Sequence, residues 1–338
     1  MYFGVNTSYK KIIMKLSFKK LIAAGLCAAA LTAALSGCSA KETKTEETVA
    51  AAESSQETTA AATEAVDAAE KYKDVVIKIG ATPGEDIQKR RDEYKAFQTY
   101  LEKQTGLKSE IFIATDYASV VEAMRAGEVD VALYGPLSYV LAADVANAEV
   151  FATDYKESTG KFYEAYIITQ PDSGIETIAD LKGKSFAFVD PASTGGHLIP
   201  KKEMIQNGID PDKDLASTIF AGGHDASALA VKNRSVDAAA IVKHMYEKLM
   251  KEGIITEEDV KIIHTSEPFP SGAWAFRPDL DEGLKEIIKD AVINIPESEL
   301  EGLKSFMGST EKYEPAVDSD WDPLREAAEL INLDLTKQ

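Results

Sequence analysis

Ser193, Thr194, Gly195 and Gly196 stand together between a strand-like run, Ser185 to Val189, and a helix-like segment, His197 to Gln206. Asp190-Pro191 ends the strand and Gly208 ends the helix. Two hydroxyls and two glycines at a helix start are the material of an anion site. The first backbone N–H groups of a helix lack internal partners and point outward along its axis. Glycine lets that backbone curl around an anion with no Cβ in the way. Ser and Thr add donors without formal charge. The same four residues also make an ordinary N-cap, and from this stretch alone both readings stand.

A second candidate is His224, in Gly222-Gly223-His224-Asp225. A helix start disfavours positive charge, so a structural imidazolium is poorly placed there and a functional neutral imidazole fits better. None of the four histidines stands at metal-ligand spacing from another, so no metal site is expected, and no motif calls for a cofactor. Ser193 with His224 and Asp225 has the residue types of a hydrolase. However, there is no G-x-S-x-G elbow, and a capping serine is not an activated nucleophile; the chain does not read as an enzyme.

The elements that must position these residues alternate strand and helix. Val75 to Gly80 is a strand, Asp92 to Lys103 a helix, Ser109 to Ala114 a strand and Tyr117 to Ala126 a helix capped by Asp116. Val129 to Tyr134 is a strand, followed by a helix from Leu137 to Ala146. The pattern restarts at Ala165 to Thr169 and continues with strands at Ser217 to Phe220, Val236 to Ile241 and Val260 to His264. Helices are expected over Ala226 to Lys232, Lys243 to Glu252, Asp279 to Asn294 and Trp321 to Ile331. Such alternation predicts mainly parallel sheets flanked by helices, in two α/β units. Ligands of open α/β sheets bind at the carboxyl ends of strands. Tyr117, Tyr134, Ser193-Thr194 and His224 all fall there, although Tyr117 and Tyr134 suit a core role equally well. Tyr163 lies in an aromatic cluster with Phe162 and Tyr166.

The chain has 338 residues and a formal net charge of −19, which argues against nucleic acid and against anionic lipid as surface partners. An anion site in this chain needs strong local donors, helped by salt screening over about 10 Å. Lys10, Lys11, Lys15, Lys19 and Lys20 precede an apolar run from Leu21 to Leu35, shorter than the roughly 20 residues of a spanning helix. Leu35-Ser36-Gly37-Cys38 follows. This reads as an export signal over residues 1–37 with a lipobox, and so as cleavage before Cys38 and lipid on its sulfur. Met14 is the better start. The second cysteine, Cys27, leaves with the signal, so no disulfide is expected. The remainder of 38–74, rich in Ala, Thr, Glu and Ser, is expected to be a disordered tether.

With these motifs assembled, DYASVVEAMRAGEVDVALYGPLSY, DPASTGGHLIP, AGGHDASALAVKNRSVDAAA and then SEPFP, the chain resembles the phosphate/phosphite/phosphonate-binding lipoproteins of ABC transporters, of the phosphonate-binding type. The resemblance runs from Ile79 to near Ala291. It implies a two-lobed type II periplasmic-binding-protein fold with a cleft between the lobes. Lobe 1 is expected over 75–162 plus 272–338 and lobe 2 over 163–271. By motif, Tyr117, Tyr163, Ser193, Thr194 and His224 are implied ligand contacts. Tyr134 lies at the cleft, and Gly195 offers its N–H. The implied partners are a small phosphorus oxyanion, an ABC permease with its ATPase, and the outer face of the membrane through the lipid on Cys38; the default is a monomer. Receptors for another small anion, such as a sulfonate, and sensor partners of a membrane kinase are the alternatives.

Three positions depart from the family pattern. Gly195 stands where relatives often carry a hydroxyl. His244 and Gly272 stand where aminoalkylphosphonate binders place the two acids that hold an ammonium. An unpartnered ammonium in a closed cleft is costly to desolvate. The expected ligand is therefore phosphite, phosphate or a short alkylphosphonate without an amine, with His244 and Lys243 favouring added negative charge.

Overall fold

The computed structural model describes residues 70–83 and 87–333. The expected signal, Cys38 and most of the expected tether lie outside them.

In chain order the elements begin with β1 (Val76–Ala81), α1 (Ile87–Thr105), β2 (Lys108–Ile113), α2 (Tyr117–Arg125), β3 (Val131–Tyr134), α3 (Pro136–Ala146) and β4 (Glu149–Tyr155). The chain then crosses to a second sheet through β5 (Phe162–Tyr163). There it forms β6 (Ala165–Thr169), β7 (Ser185–Phe188), α4 (Ile199–Gln206), the short α5 (Pro211–Asp214), β8 (Ser217–Phe220), α6 (His224–Lys232), β9 (Ala238–Val242), α7 (Lys243–Lys251) and β10 (Lys261–Thr265). It returns through β11 (Phe269–Pro270) to β12 (Ala273–Phe276), α8 (Glu282–Ile293), α9 (Glu297–Met307), β13 (Lys312–Pro315) and α10 (Asp322–Leu330). α1 begins earlier than its expected core, and Arg90 pairs with Glu93 in its first turns. α9, β4 and β13 are additions that periodicity did not single out.

The first sheet has the order β13-β4-β12-β3-β1-β2 and the second β10-β6-β9-β7-β8. β1 pairs in parallel with β2 and β3, and β7 with β8 and β9. β12 runs antiparallel between β3 and β4, and β6 antiparallel between β9 and β10. This mixture has a simple cause. A strand arriving from the other lobe enters its sheet at the edge where the neighbouring strands end, so it must run away from that edge. β6 and β12 are those arriving strands. The two crossings pair with each other, Phe269 with Tyr163 and Pro270 with Phe162. Beside them the Trp321 indole donates to the Ser271 carbonyl at 3.0 Å.

One face of the first sheet packs against α1, α8 and α9, where Phe97 stacks on Phe306 at 4.5 Å and meets Trp274 at 5.0 Å. The other face carries α2, α3 and α10 and shares its apolar cluster with Ala165, Ala192, Leu198, Ile199 and Phe269 of the second lobe. α3 is buried almost all round, which suits a helix that lies against both lobes. Asp130 ties the centre of the first sheet. Its carboxylate accepts from the Lys78 N–H at 2.8 Å and from Arg277 Nε at 2.6 Å. The pair is largely buried, so removing one partner strands the other charge. Asp130→Ala is expected to cost about 3 kcal/mol in urea unfolding, with no change in ligand preference.

Candidate functional site

The residues after β7 do not enter α4 directly. Thr194–Leu198 forms one wide turn of π-helix, a geometry that recurs at functional sites. The glycines are sterically required here. A Cβ on Gly195 would lie 2.5 Å from Val242 Cγ1 and 3.0 Å from Phe269 Cζ. One on Gly196 would lie 2.7 Å from Ser193 Oγ and would clash with Val189. The missing hydroxyl at Gly195 is thus a consequence of close packing by β9 and β11.

Ser193 Oγ accepts from the Gly196 N–H at 3.1 Å. Thr194 Oγ1 accepts from the Leu137 N–H at the start of α3, across the lobes, at 2.8 Å. The capping reading of the stretch is therefore realised. Each hydroxyl oxygen is engaged as an acceptor, which leaves its proton to be donated elsewhere. The Asp190 carboxylate closes the turn through the Ala192 N–H at 2.8 Å and takes the Tyr117 N–H at the start of α2. Desolvation raises its pKa and these two N–H groups oppose that rise. Asp190 was absent from the candidate residues, and its Asp-Pro setting reads in sequence only as a strand end.

His224 begins α6. Its Nδ1 accepts from the Val242 N–H at 3.4 Å, so the ring proton sits on Nε2 and is available to a ligand. Desolvation holds His224 down to about 4 and His244 down to about 3, so both rings are neutral at ordinary pH. His244 lies on α7, with its ring 5.8 Å from that of Tyr163. Tyr163 packs on Phe269 at 4.3 Å, and its phenol, raised by desolvation, bonds the Thr194 side chain. Tyr117 lies beside Gly135, whose hypothetical Cβ would be 3.6 Å from Tyr117 Cε1. Tyr117, Tyr163, Ser193, Thr194 and Gly195 therefore gather at the junction of the lobes, with His224 and His244 on the elements flanking β9.

Tyr134 does not join them through its side chain. It is 1 % exposed, and its phenol turns into lobe 1 toward the Val120 carbonyl and Met124 Sδ, at 3.4 and 3.3 Å. Only its backbone carbonyl reaches the rim. The reason is strand alternation: at the end of β3 the side chain of residue 134 points into the α2 face. His264 pairs with buried Glu203 at 2.5 Å, away from the cradle.

At Gly272 the structure adds a group that sequence spacing missed. Asp154 Oδ2 lies 2.8 Å from where a Gly272 Cβ would be. The carboxylate, brought by the neighbouring strand β4, is pushed up to about 6 by desolvation. Thr310, Lys156 and the Gly272 N–H oppose that shift.

The geometry defines a two-lobed protein with neutral hydrogen-bonding side chains gathered at the junction of its lobes. The chain belongs to the ABC transporter phosphonate periplasmic substrate-binding protein family, whose model matches residues 79–321. It is similar to the phosphate-import protein PhnD of Mycolicibacterium smegmatis, with 32% identity over 280 residues, covering 77% of this chain and 87% of that one. Among solved structures it is similar to a binding protein component of an ABC phosphonate transporter from Pseudomonas aeruginosa. That match has 27% identity and a TM-score of 0.70, and covers 76% of this chain and 86% of that one. The fold also matches PhnD1 from Prochlorococcus marinus in complex with methylphosphonate, with 21% identity and a TM-score of 0.71, over 77% of this chain and 99% of that one.

Two ion pairs span the lobes outside the cradle. Lys89 Nζ lies 3.3 Å from Glu252 Oε1, and Lys248 Nζ lies 3.9 Å from Glu93 Oε1, joining α1 to the end of α7. Lys89→Glu is expected to weaken ligand binding by about three- to tenfold by opposing closure, and adding Glu252→Lys to restore it. Titration calorimetry of the single and double variants reads both.

The buried imidazoles also set an acid limit. His197, His224 and His244 are all held below their ordinary 6.5. Below that pH the unfolded chain takes up protons that the folded chain refuses, so stability falls as pH drops through this range. Asp154 and, with smaller shifts, Asp190 and Asp144 are raised from 3.8 by desolvation and act in the opposite sense. The urea midpoint is expected to fall between about pH 7 and about pH 5, and His244→Gln to lessen that fall.

Proposed function

We propose that the chain is the extracytoplasmic solute receptor of an ABC importer, capturing a small phosphorus oxyanion without an amine: phosphate, phosphite or a short alkylphosphonate. The observation that carries this reading is the donor set. Ser193 and Thr194 have their oxygens engaged and their protons to give. The Gly195 N–H and the Nε2–H of neutral His224 complete a cradle with the bonding character of an oxyanion site. Neutral donors bind a dianion through charge-assisted hydrogen bonds without burying a fixed cation, which leaves release to the permease possible.

The amine-free part rests on the substituent end of the cleft. His244 and Gly272 carry no negative charge, and the nearby Asp154 is already compensated by Lys156 and by the Thr310 and Gly272 donors. An ammonium entering there gains little for its lost hydration. By its relatives the receptor works outside the cytoplasmic membrane. Lipid on Cys38, the 38–74 tether, the lobe boundaries at 163 and 271, a monomeric state and an ABC permease with its ATPase complete the proposal.

Calorimetric titration of the purified protein with phosphate, phosphite, methylphosphonate and 2-aminoethylphosphonate tests it. Binding of at least one amine-free ligand is expected, weakened by about tenfold or more in Ser193→Ala, Thr194→Val and His224→Ala. Tighter binding of 2-aminoethylphosphonate than of the other three would overturn the amine-free assignment. No binding by any of them would overturn the receptor reading itself.

A further inference from the structure

Of the four histidines, His264 pairs with Glu203 and His224 and His244 flank β9, which leaves His197. It stands inside the π-helical turn, between Gly196 and Leu198, and is buried. Its ring lies edge-on to Phe188 and to Phe220, each at 5.1 Å. Phe188 and Phe220 are register partners on β7 and β8. They therefore turn to one face of the sheet and box the imidazole there.

An apolar ring would fill such a box equally well. The use of an imidazole rests on one atom. Nδ1 of His197 lies 2.8 Å from the Pro191 carbonyl oxygen. A carbonyl only accepts, so Nδ1 carries the hydrogen and donates it. Desolvation holds the ring down to about 4, so it is neutral and this is its one ring N–H proton. His197 is thus the Nδ1–H tautomer. His224 is the opposite one, with an Nδ1 that accepts from the Val242 N–H.

The bond joins two turns in series. Asp190 to Ser193 is a β-turn with Pro191 at its second position, closed by the Ser193 N–H on the Asp190 carbonyl at 3.0 Å. The π turn follows. There the Leu198 N–H reaches the Ser193 carbonyl at 3.1 Å, and the Ile199 N–H reaches the Thr194 carbonyl. Both bonds span five residues where an α-helix spans four. Ser193 stands where the two turns meet. The Val189 N–H also reaches the Gly196 carbonyl at 3.0 Å, which ties the π turn to the end of β7 and leaves the Pro191 peptide untouched. The imidazole makes the remaining link, from within the π turn to the middle of the β-turn. Asp190, at the far end of that β-turn, takes the Tyr117 N–H of lobe 1.

We propose that His197 is a positioning residue: by donating Nδ1–H to the Pro191 carbonyl it locks the β-turn to the π turn, and so fixes the direction in which Ser193 presents its hydroxyl to the bound anion. This rests on the receptor reading above and adds to it a residue that acts from behind the loop.

The test separates the ring from its proton. His197→Phe keeps a ring between Phe188 and Phe220 and removes the donor. His197→Asn removes the ring and keeps an N–H donor. Calorimetry of the full-length protein with phosphate, phosphite and methylphosphonate reads affinity, and urea unfolding without ligand reads stability. Affinity for whichever of these anions binds is expected to fall about tenfold in His197→Phe and by no more than about threefold in His197→Asn. The urea midpoint is expected to fall further in His197→Asn, which leaves the aromatic box part-empty. A ring needed only for packing would make affinity follow stability, with His197→Phe binding as the wild type does; that result, or an equal loss of affinity in both variants, would overturn the proposal. Nitrogen NMR of the wild type needs no variant. Near neutral pH His197 is expected to show a protonated Nδ1 and a bare Nε2, and an Nε2–H tautomer or an imidazolium would also overturn the proposal. These results leave the receptor reading standing. If the wild type binds none of the three anions, that reading falls and this proposal falls with it.

Discussion

The hydrogen bond from the Leu137 N–H to Thr194 Oγ1 joins the two lobes, beside that from the Tyr117 N–H to Asp190. It links the first turn of α3 in lobe 1 to the anion loop of lobe 2. By occupying the threonine oxygen it fixes the direction in which the hydroxyl proton can be given. It also holds the lobes at the separation where Asp190 reaches the start of α2. Closure and donor orientation are thus one geometric condition. Two helix starts of lobe 1, those of α2 and α3, are satisfied by side chains of lobe 2. That exchange offsets the cost of burying polar backbone at the lobe junction.

The electrostatics of the cradle follow from the same economy of charge. The whole chain is strongly acidic, yet the groups gathered at the lobe junction are hydroxyls, N–H groups and an imidazole held neutral by desolvation. A cationic site would bind an anion more strongly but would lie desolvated and unpartnered in the empty receptor. Neutral donors lose little when the cleft opens to water. For a protein that must both capture and hand over its cargo, this matters more than maximal affinity.

Much of this was readable from the sequence. The stretch from Ser193 to Gly196 was legible as a helix start, where an N-cap and an anion site use the same residues, and the family assignment followed from motifs in a fixed order. The alternation of strand and helix gave the class of both sheets and the direction of most strands. β6 was read as a continuation of the alternation, because periodicity carries no information about which lobe a strand arrives from. Tyr134 was ambiguous because its position at a strand end says nothing about the face to which its side chain turns. Asp154 was invisible for a different reason. Its neighbour in space, Gly272, is far away in the chain, and only the insertion of β12 beside β4 brings them together. Asp190 was visible as a residue, but its contact with α2 depends on lobe closure. Local chemistry is written in the sequence; what two distant strands place side by side is not.

The insertion of β12 also orders the assembly of the protein in time. Every strand of the second sheet lies between β5 and β11, so lobe 2 has all its strands once β10 is made. In the first sheet, β4 pairs only with β12 and β13, both of which come after lobe 2. In chain order, β4 therefore has both edges unpaired until the strands of lobe 2 have been passed. The half that supplies the hydroxyls is finished first, and the half that closes over them last. A receptor able to trap its ligand exists only once the final strands are in place.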